Sequence, residues 1–179
     1  MRFANEAEAI TYVFRSLRKL RGVERGLDEL FRDTAPTRRL LQATGLLTSR
    51  TGSGIATTRE YAVITGSKGK GSTTVITTKL LQHLGHTVGM ITSPHLVSYR
   101  ERIRVNGRAI PEADLIRILD DLAPEIDAIE ETLTGQQYFS PQGIILAIAL
   151  RWFDEQNVTA AVLEVGRGEK DFDTIQTAI

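Results

Sequence analysis

Residues 65–73 read Thr-Gly-Ser-Lys-Gly-Lys-Gly-Ser-Thr, a glycine-rich turn with two lysines that ends on hydroxyls. The chemistry such a stretch can do is to hold phosphate. Gly66, Gly69 and Gly71 let successive backbone N–H groups converge on an anion with no Cβ in the way. A helix starting at the same point adds unpaired N–H groups and the positive end of its dipole. Lys70 adds a full charge that can follow phosphate oxygens during transfer, and Ser72 and Thr73 offer hydroxyls to a nucleotide or its magnesium. The spacing is not the commonest one for this purpose. Ile64 stands five residues before the Gly69-Lys70 pair, where a glycine is usual, and Gly71 separates Lys70 from Ser72. A flexible surface loop of similar composition is the competing reading. The strand-like run before the turn and the helical pattern after it favour the phosphate loop.

Other residues invite chemistry at a distance in sequence. Glu164 closes an apolar run, where a carboxylate near a phosphate loop can hold magnesium directly or through water. Gly166 and Gly168 around Arg167 suggest a tight turn near the nucleotide. Ser93 precedes Pro94 and either completes a metal shell or begins a turn. His95 is a lone loop histidine, structural or catalytic. Glu101, Arg102 and Arg104 precede a hairpin signal and either order a loop over a substrate or form a plain solvated arm.

The elements that must position these groups follow from periodicity. Residues 5–20 show helical spacing, with Asn5 as N-cap, and further short helices are expected over 24–33 and 36–43. Residues 44–59, rich in Thr, Ser and Gly, read as a loop. From Tyr61 strand and helix alternate: a buried strand at Tyr61–Thr65, a helix over 71–84, and a strand at Val88–Thr92. Asn106-Gly107 between β-branched residues marks a hairpin in Arg102–Ile110. An acidic helix opened by Pro111 covers 111–131 and is expected to bend or restart near Pro124. An apolar helix covers 141–155, and a third buried strand Ala160–Val165. Continuous apolar strands alternating with helices predict an α/β fold, a parallel sheet covered on both faces, preceded by a small helical segment. Ligands in such sheets bind beyond the C-terminal strand ends, which gathers the loop at 66–71, Ser93 with His95, and Glu164 at one edge.

Composition sets bounds. The 179 residues suffice for one domain with a real core. Lys+Arg and Asp+Glu balance at 22 each, so bulk charge offers no attraction to nucleic acid or an anionic membrane. Residues 1–50 carry ten basic against six acidic residues, and 111–131 carry eight acidic residues and one arginine. Solvated helix faces account for both; an anionic substrate drawn to the basic segment is the sharper reading. The absence of cysteine excludes disulfides and thiolate chemistry and is compatible with a cytoplasmic location. No signal-peptide core and no bilayer-length apolar run are expected.

Three ordered motifs together resemble the folylpolyglutamate synthase/dihydrofolate synthase branch of the Mur ligase superfamily. Residues 65–73 are similar to its phosphate loop. Thr92-Ser93-Pro94-His95-Leu96-Val97 with Glu101-Arg102-Ile103-Arg104-Val105-Asn106-Gly107 resembles its Ω-loop and hairpin, and Leu163-Glu164-Val165-Gly166 its metal-binding strand end. The resemblance covers about residues 5–170. It implies an ATP-dependent amide ligase that phosphorylates a carboxylate, pteroate- or folate-like in this branch, and joins the acyl phosphate to an amino acid such as glutamate. It further implies that Lys70 and the loop Gly66, Ser67, Lys68, Gly69, Gly71, Ser72 and Thr73 hold ATP. Ser72, Ser93 and Glu164 would bind Mg2+, with Lys70 and Glu164 serving catalysis. His95, Arg100 and Arg102 would lie beside the carboxylate substrate. The expected organisation is N-terminal helices over 1–50, a linker over 51–60, and the first part of an ATP-binding domain over 61–179, to be completed by a missing C-terminal part or a partner chain. The chain departs from the branch at Ser67-Lys68, where Thr-Asn is usual, at Arg100, at Ser140-Pro141 and after Gly166. A non-catalytic ATP-binding module is therefore the second reading, and a small-molecule kinase the third.

Overall fold

A computed structural model describes residues 1–19, 33–46, 59–135 and 137–165. The expected helix at 24–33, most of the loop at 44–59, Gly166 to Gly168 and the stretch after them lie outside the described residues.

Helices α1 (Glu6–Val13), α2 (Arg15–Arg18) and α3 (Ala35–Ala43) open the chain. Asn5 caps α1 by accepting the Glu8 N–H, and Pro36 sits in the first turn of α3. The helix expected over 5–20 is two helices, parted at Phe14. Then come β1 (Glu60–Ile64), α4 (Lys70–His83), β2 (Val88–Ile91), a 3-10 turn (Tyr99–Arg102), β3 (Ile103–Val105), β4 (Arg108–Ala109), α5 (Glu112–Glu131), α6 (Pro141–Glu155) and β5 (Ala160–Glu164). Asn106 and Gly107 take positive φ, 49° and 82°, which gives the tight turn between β3 and β4. Helix α5 runs through Pro124 without a break. The proline faces solvent while Leu122, Ala123 and Ile126 around it are buried, and that packing offsets the roughly 3 kcal/mol a mid-helix proline costs.

The strand order is β1-β5-β2-β3-β4. The first three strands are parallel, and β3 and β4 add antiparallel strands. The sheet is thus mixed rather than purely parallel. Strand β1 is an edge of this sheet and only half-buried, not the fully buried strand its apolar run predicts. Both faces carry helices. The chain passes from β1 to β2 over one face through α4 and returns from β2 to β5 over the other through α5 and α6. Right-handed crossovers in opposite directions require that division.

The core lies on the α6 side. Helix α6 is apolar all round, and eleven of its residues are buried, as expected of a helix packed between a sheet and further helices. Its Phe153 ring rests on Gly89 of β2, where a Cβ would meet ring carbons at 2.8 Å. Ala161 and Leu163 of β5 join the core formed by α1, α3, α5 and α6. Helix α4 is built the other way round. It turns Thr74 and Thr78 inward and leaves Val75, Ile76, Leu80 and Leu84 exposed.

Candidate active site at the strand ends

The C-terminal ends of β1, β5 and β2 lie side by side, with Ile64 paired to Glu164 and Ile91 to Leu163. The glycine-rich loop leaves β1 and enters α4 here. Gly66 and Gly69 take φ of 141° and 75°, conformations that favour glycine. Gly69 is the N-cap of α4 and offers no side-chain cap. The Thr73 N–H bonds Gly69 O, so the N–H groups of Lys70, Gly71 and Ser72 are those that a first helical turn leaves without an intrahelical partner. Lys70 folds back over the loop, its Nζ donating to Gly66 O at 2.8 Å. Ser67, Lys68, Ser72 and Thr73 are exposed along this rim.

Glu164 is only 8% exposed. Its Oε2 accepts the Ser93 N–H at 3.2 Å, and an ideal Cβ on Gly71 would lie 3.7 Å from the same oxygen. Three segments far apart in sequence therefore meet at one carboxylate. Among the described residues no basic side chain is a hydrogen-bond or ion-pair partner of the buried Glu164 carboxylate. No group of three or more His, Cys, Asp or Glu gathers among the described residues. The donor set is one carboxylate with serine hydroxyls near a phosphate-type loop, which suits a magnesium ion completed by nucleotide oxygens and water rather than an all-protein cage.

The loop from Ser93 to Arg102 leads from this point to α1, with a cis Ser93–Pro94 peptide at its start. Arg102 Nε donates to His95 Nδ1 at 3.1 Å, which puts the ring hydrogen of a neutral imidazole on Nε2. The His95 ring lies 5.1 Å from that of Tyr99, and the Arg102 guanidinium sits 4.4 Å over Tyr99. Burial pushes the Tyr99 hydroxyl up to about 12. These three side chains, with Phe14, Arg18 and Glu6, line a cavity of about 610 Å³ between the loop and the N-terminal helices. His95 and Arg102 thus share one cavity. Arg100 does not join them: its Nε donates to Glu6 at 3.0 Å and its Nη1 to Ile110 O, so it ties the loop to α1 and to the end of the hairpin.

Sequence reading missed Glu6. Its carboxylate accepts from Ser98 Oγ, the Tyr99 N–H and Arg100. Burial raises its pKa, but the bonds from Arg100, Ser98 and Tyr99 outweigh burial and hold it below its ordinary value. Nothing within residues 1–10 signals this contact, because its partners lie more than ninety positions away. Glu101 was legible: Ser98-x-x-Glu101 is a capping-box pattern. Backbone N–H groups, that of Ser98 foremost, hold the Glu101 carboxyl below its usual range.

No protein-family model matches the chain. Its sequence does match curated proteins. A probable bifunctional folylpolyglutamate synthase/dihydropteroate synthase of Halobacterium salinarum is 38% identical over 109 residues, 61% of this chain and 13% of that protein. The dihydrofolate synthase/folylpolyglutamate synthase of Bacillus subtilis is 34% identical over 106 residues, 59% of this chain and 24% of that protein. Over about three fifths of its length the chain is thus similar in sequence to folylpolyglutamate synthases. Its fold agrees: a solved complex of a folylpolyglutamate synthase with AMPPCP and folate superposes with a TM-score of 0.72 over 95% of this chain and 37% of that one, at 24% identity. The chain spans between about an eighth and a quarter of the length of these curated relatives.

Proposed function

We propose that this chain is the ATP- and magnesium-using part of an acid–amino-acid ligase of the folylpolyglutamate synthase type. The observation that carries the reading is the meeting of Glu164, the Ser93 backbone and Gly71 at one buried carboxylate beside the glycine-rich loop. Residues from Tyr61 onward supply the nucleotide-binding part, and α1 and α2 the helices beside which its loop rests.

In this reading the free N–H groups at the start of α4 and the backbone of Gly66 to Ser72 wrap the triphosphate. Lys70 leaves Gly66 O for the β/γ-phosphates, and Lys68, at the rim, adds a second positive charge. Ser67 and Thr73 flank the phosphates. Ser72, Ser93 and Glu164 hold magnesium, which when bound neutralises phosphate charge. Such transfer needs chiefly positioning and charge neutralisation, and that is what these residues supply. A carboxylate oxygen of the substrate attacks the γ-phosphorus, the bond to the β-phosphate oxygen breaks, and ADP leaves. The amine of an amino acid, glutamate in this type of ligase, then attacks the acyl carbon. Phosphate departs, the amine loses a proton, and an amide remains. His95 and Arg102 face the carboxylate substrate, a folate-like acid, from the cavity beside α1. The chemistry and the balanced composition fit a cytoplasmic protein.

Calorimetry of the chain with Mg-ATP tests the first half. Wild type should release heat, Lys70→Ala should release none, and Glu164→Gln should require more magnesium for the same binding. Equal heats from all three proteins refute the site. Hydroxylamine trapping tests the second half: ATP binding with no trapped acyl hydroxamate from a folate-type acid favours a binding module over a ligase. The departures from the branch at Ser67-Lys68, Arg100 and Ser140-Pro141 are what keep that second reading in play.

A further inference from the structure

The tip of the loop between β2 and β3 is held by carboxylates rather than by burial, whereas Tyr99 further along is buried in the core. At its tip Leu96 and Val97 are 91% and 89% exposed, so they contribute almost no apolar packing. Glu101 holds them from within. Its Oε2 accepts the Leu96 N–H at 3.2 Å, and its Oε1 accepts the N–H groups of Val97 and Ser98 at 3.2 and 3.1 Å. Arg104 anchors that glutamate to β3, its Nη2 3.6 Å from Oε2 and its Nε donating to Glu101 O. From outside, Glu6 of α1 fastens the next three residues, Ser98 to Arg100. Every backbone N–H from Leu96 to Tyr99 thus ends on one of two carboxylates. The segment so fixed begins three residues after Ser93, whose N–H meets Glu164, and it ends at Arg102, which orients His95.

We propose that Glu101 is a positioning residue for the Mg-ATP site, with Glu6 as its counterpart on the N-terminal helix. Glu101 touches neither Ser93 nor Glu164. It acts by giving the chain between Ser93 and Arg102 a single shape, so that the Ser93 hydroxyl and the His95 ring are presented together. The role rests on the function proposed above, since a positioned Ser93 matters only if a cation is held there. It also gives α1 a part in nucleotide binding, although α1 contributes no residue to the strand ends.

Glu101→Ala removes both acceptors, and Glu101→Gln retains one carbonyl oxygen. Hydrogen exchange read by mass spectrometry reports loop order with no ligand present. Loss of charge-assisted hydrogen bonds should speed exchange across 94–99 by about tenfold in Glu101→Ala and less in Glu101→Gln, with α6 and β5 unchanged. By calorimetry Glu101→Ala should bind Mg-ATP about tenfold more weakly, as for other outer-shell groups of metal sites, and bind ATP without magnesium as wild type does. Glu101→Gln should recover part of the loss. Unchanged loop exchange overturns the role, as does faster exchange with unaltered Mg-ATP affinity. If Glu101→Ala does not fold, the same two readouts on Glu101→Gln decide the matter, with a drop of about threefold expected. A wild-type chain that gives no heat with Mg-ATP defeats the function itself. A wild type that binds, beside variants that bind equally well, defeats only the positioning role.

Discussion

Replacing Gly71 by alanine should push stability and Mg-ATP binding in opposite directions. Gly71 is the second residue of α4, and its φ is not in the left-handed region. An ideal Cβ there meets only Glu164 Oε2, at 3.7 Å, an ordinary van der Waals contact. The methyl group therefore fits the folded chain. Alanine is favoured over glycine in a helix by about 0.5–1 kcal/mol, which for a chain of this size raises Tm by roughly 1–4 °C. The proposed site responds differently. A magnesium ion held by Glu164 would carry its other oxygen ligands about 3–4 Å from Oε2. A methyl carbon at 3.7 Å falls inside that radius. Displacing one ligand should weaken Mg-ATP at least tenfold, or about 1.4 kcal/mol. Melting curves and calorimetry on one protein sample read both effects. A variant that melts higher and binds Mg-ATP like wild type refutes the placement of the cation beside Glu164. A variant that melts lower refutes the local geometry itself.

The other predictions concern the scaffold. Thr78 is buried in α4 with no hydrogen-bond partner for its hydroxyl among the described residues, so Thr78→Val, which keeps shape and branching, should stabilise the chain by about 1 kcal/mol, or 2–4 °C in Tm. A lower Tm would mean that the hydroxyl is satisfied after all. The depressed pKa of Glu6 implies a pH dependence with a definite sign. Its contribution is complete above the ordinary carboxylate value of 4.5 and is lost as pH falls through the lower folded value. Tm should therefore fall more steeply on acidification in wild type than in Glu6→Gln, and parallel curves would count against the clamp on the 98–100 segment.

What could be read from sequence was what local backbone chemistry decides. Asn5 as a cap, Asn106-Gly107 as a turn and the glycine-rich loop each depend on a few neighbouring residues, and each stands where expected. What depends on distant partners was not legible. An apolar run such as 60–64 reads as a buried strand whether it lies in the middle of a sheet or at its edge. Its place is decided by β5, a hundred residues later, which pairs with one side of it only. Pro124 signals a break to any local rule, and tertiary packing on both sides of it overrules that rule. The pairing of Arg100 with Glu6 carries no local signal because the two are ninety-four positions apart.

The strand order explains why a single carboxylate can serve this site. Strand β5 lies between β1 and β2, so its last residue is the one strand-end position that borders both the glycine-rich loop after Ile64 and the turn at Ser93. A carboxylate at the end of β1 or β2 would border only one of them. Its face matters equally. Ala161 and Leu163 belong to the core on the α6 side, so by the alternation of a strand Val162 and Glu164 turn toward α4. That is the face on which Gly71 opens its first turn. A register slip of one residue in β5 would send Glu164 into the apolar core and bring Leu163 to the loop. The pairing of Ile64 with Glu164 therefore fixes the chemistry as firmly as the identity of the glutamate does. A functional replacement of Glu164 would have to occupy this position on this strand, because no other strand end satisfies both conditions.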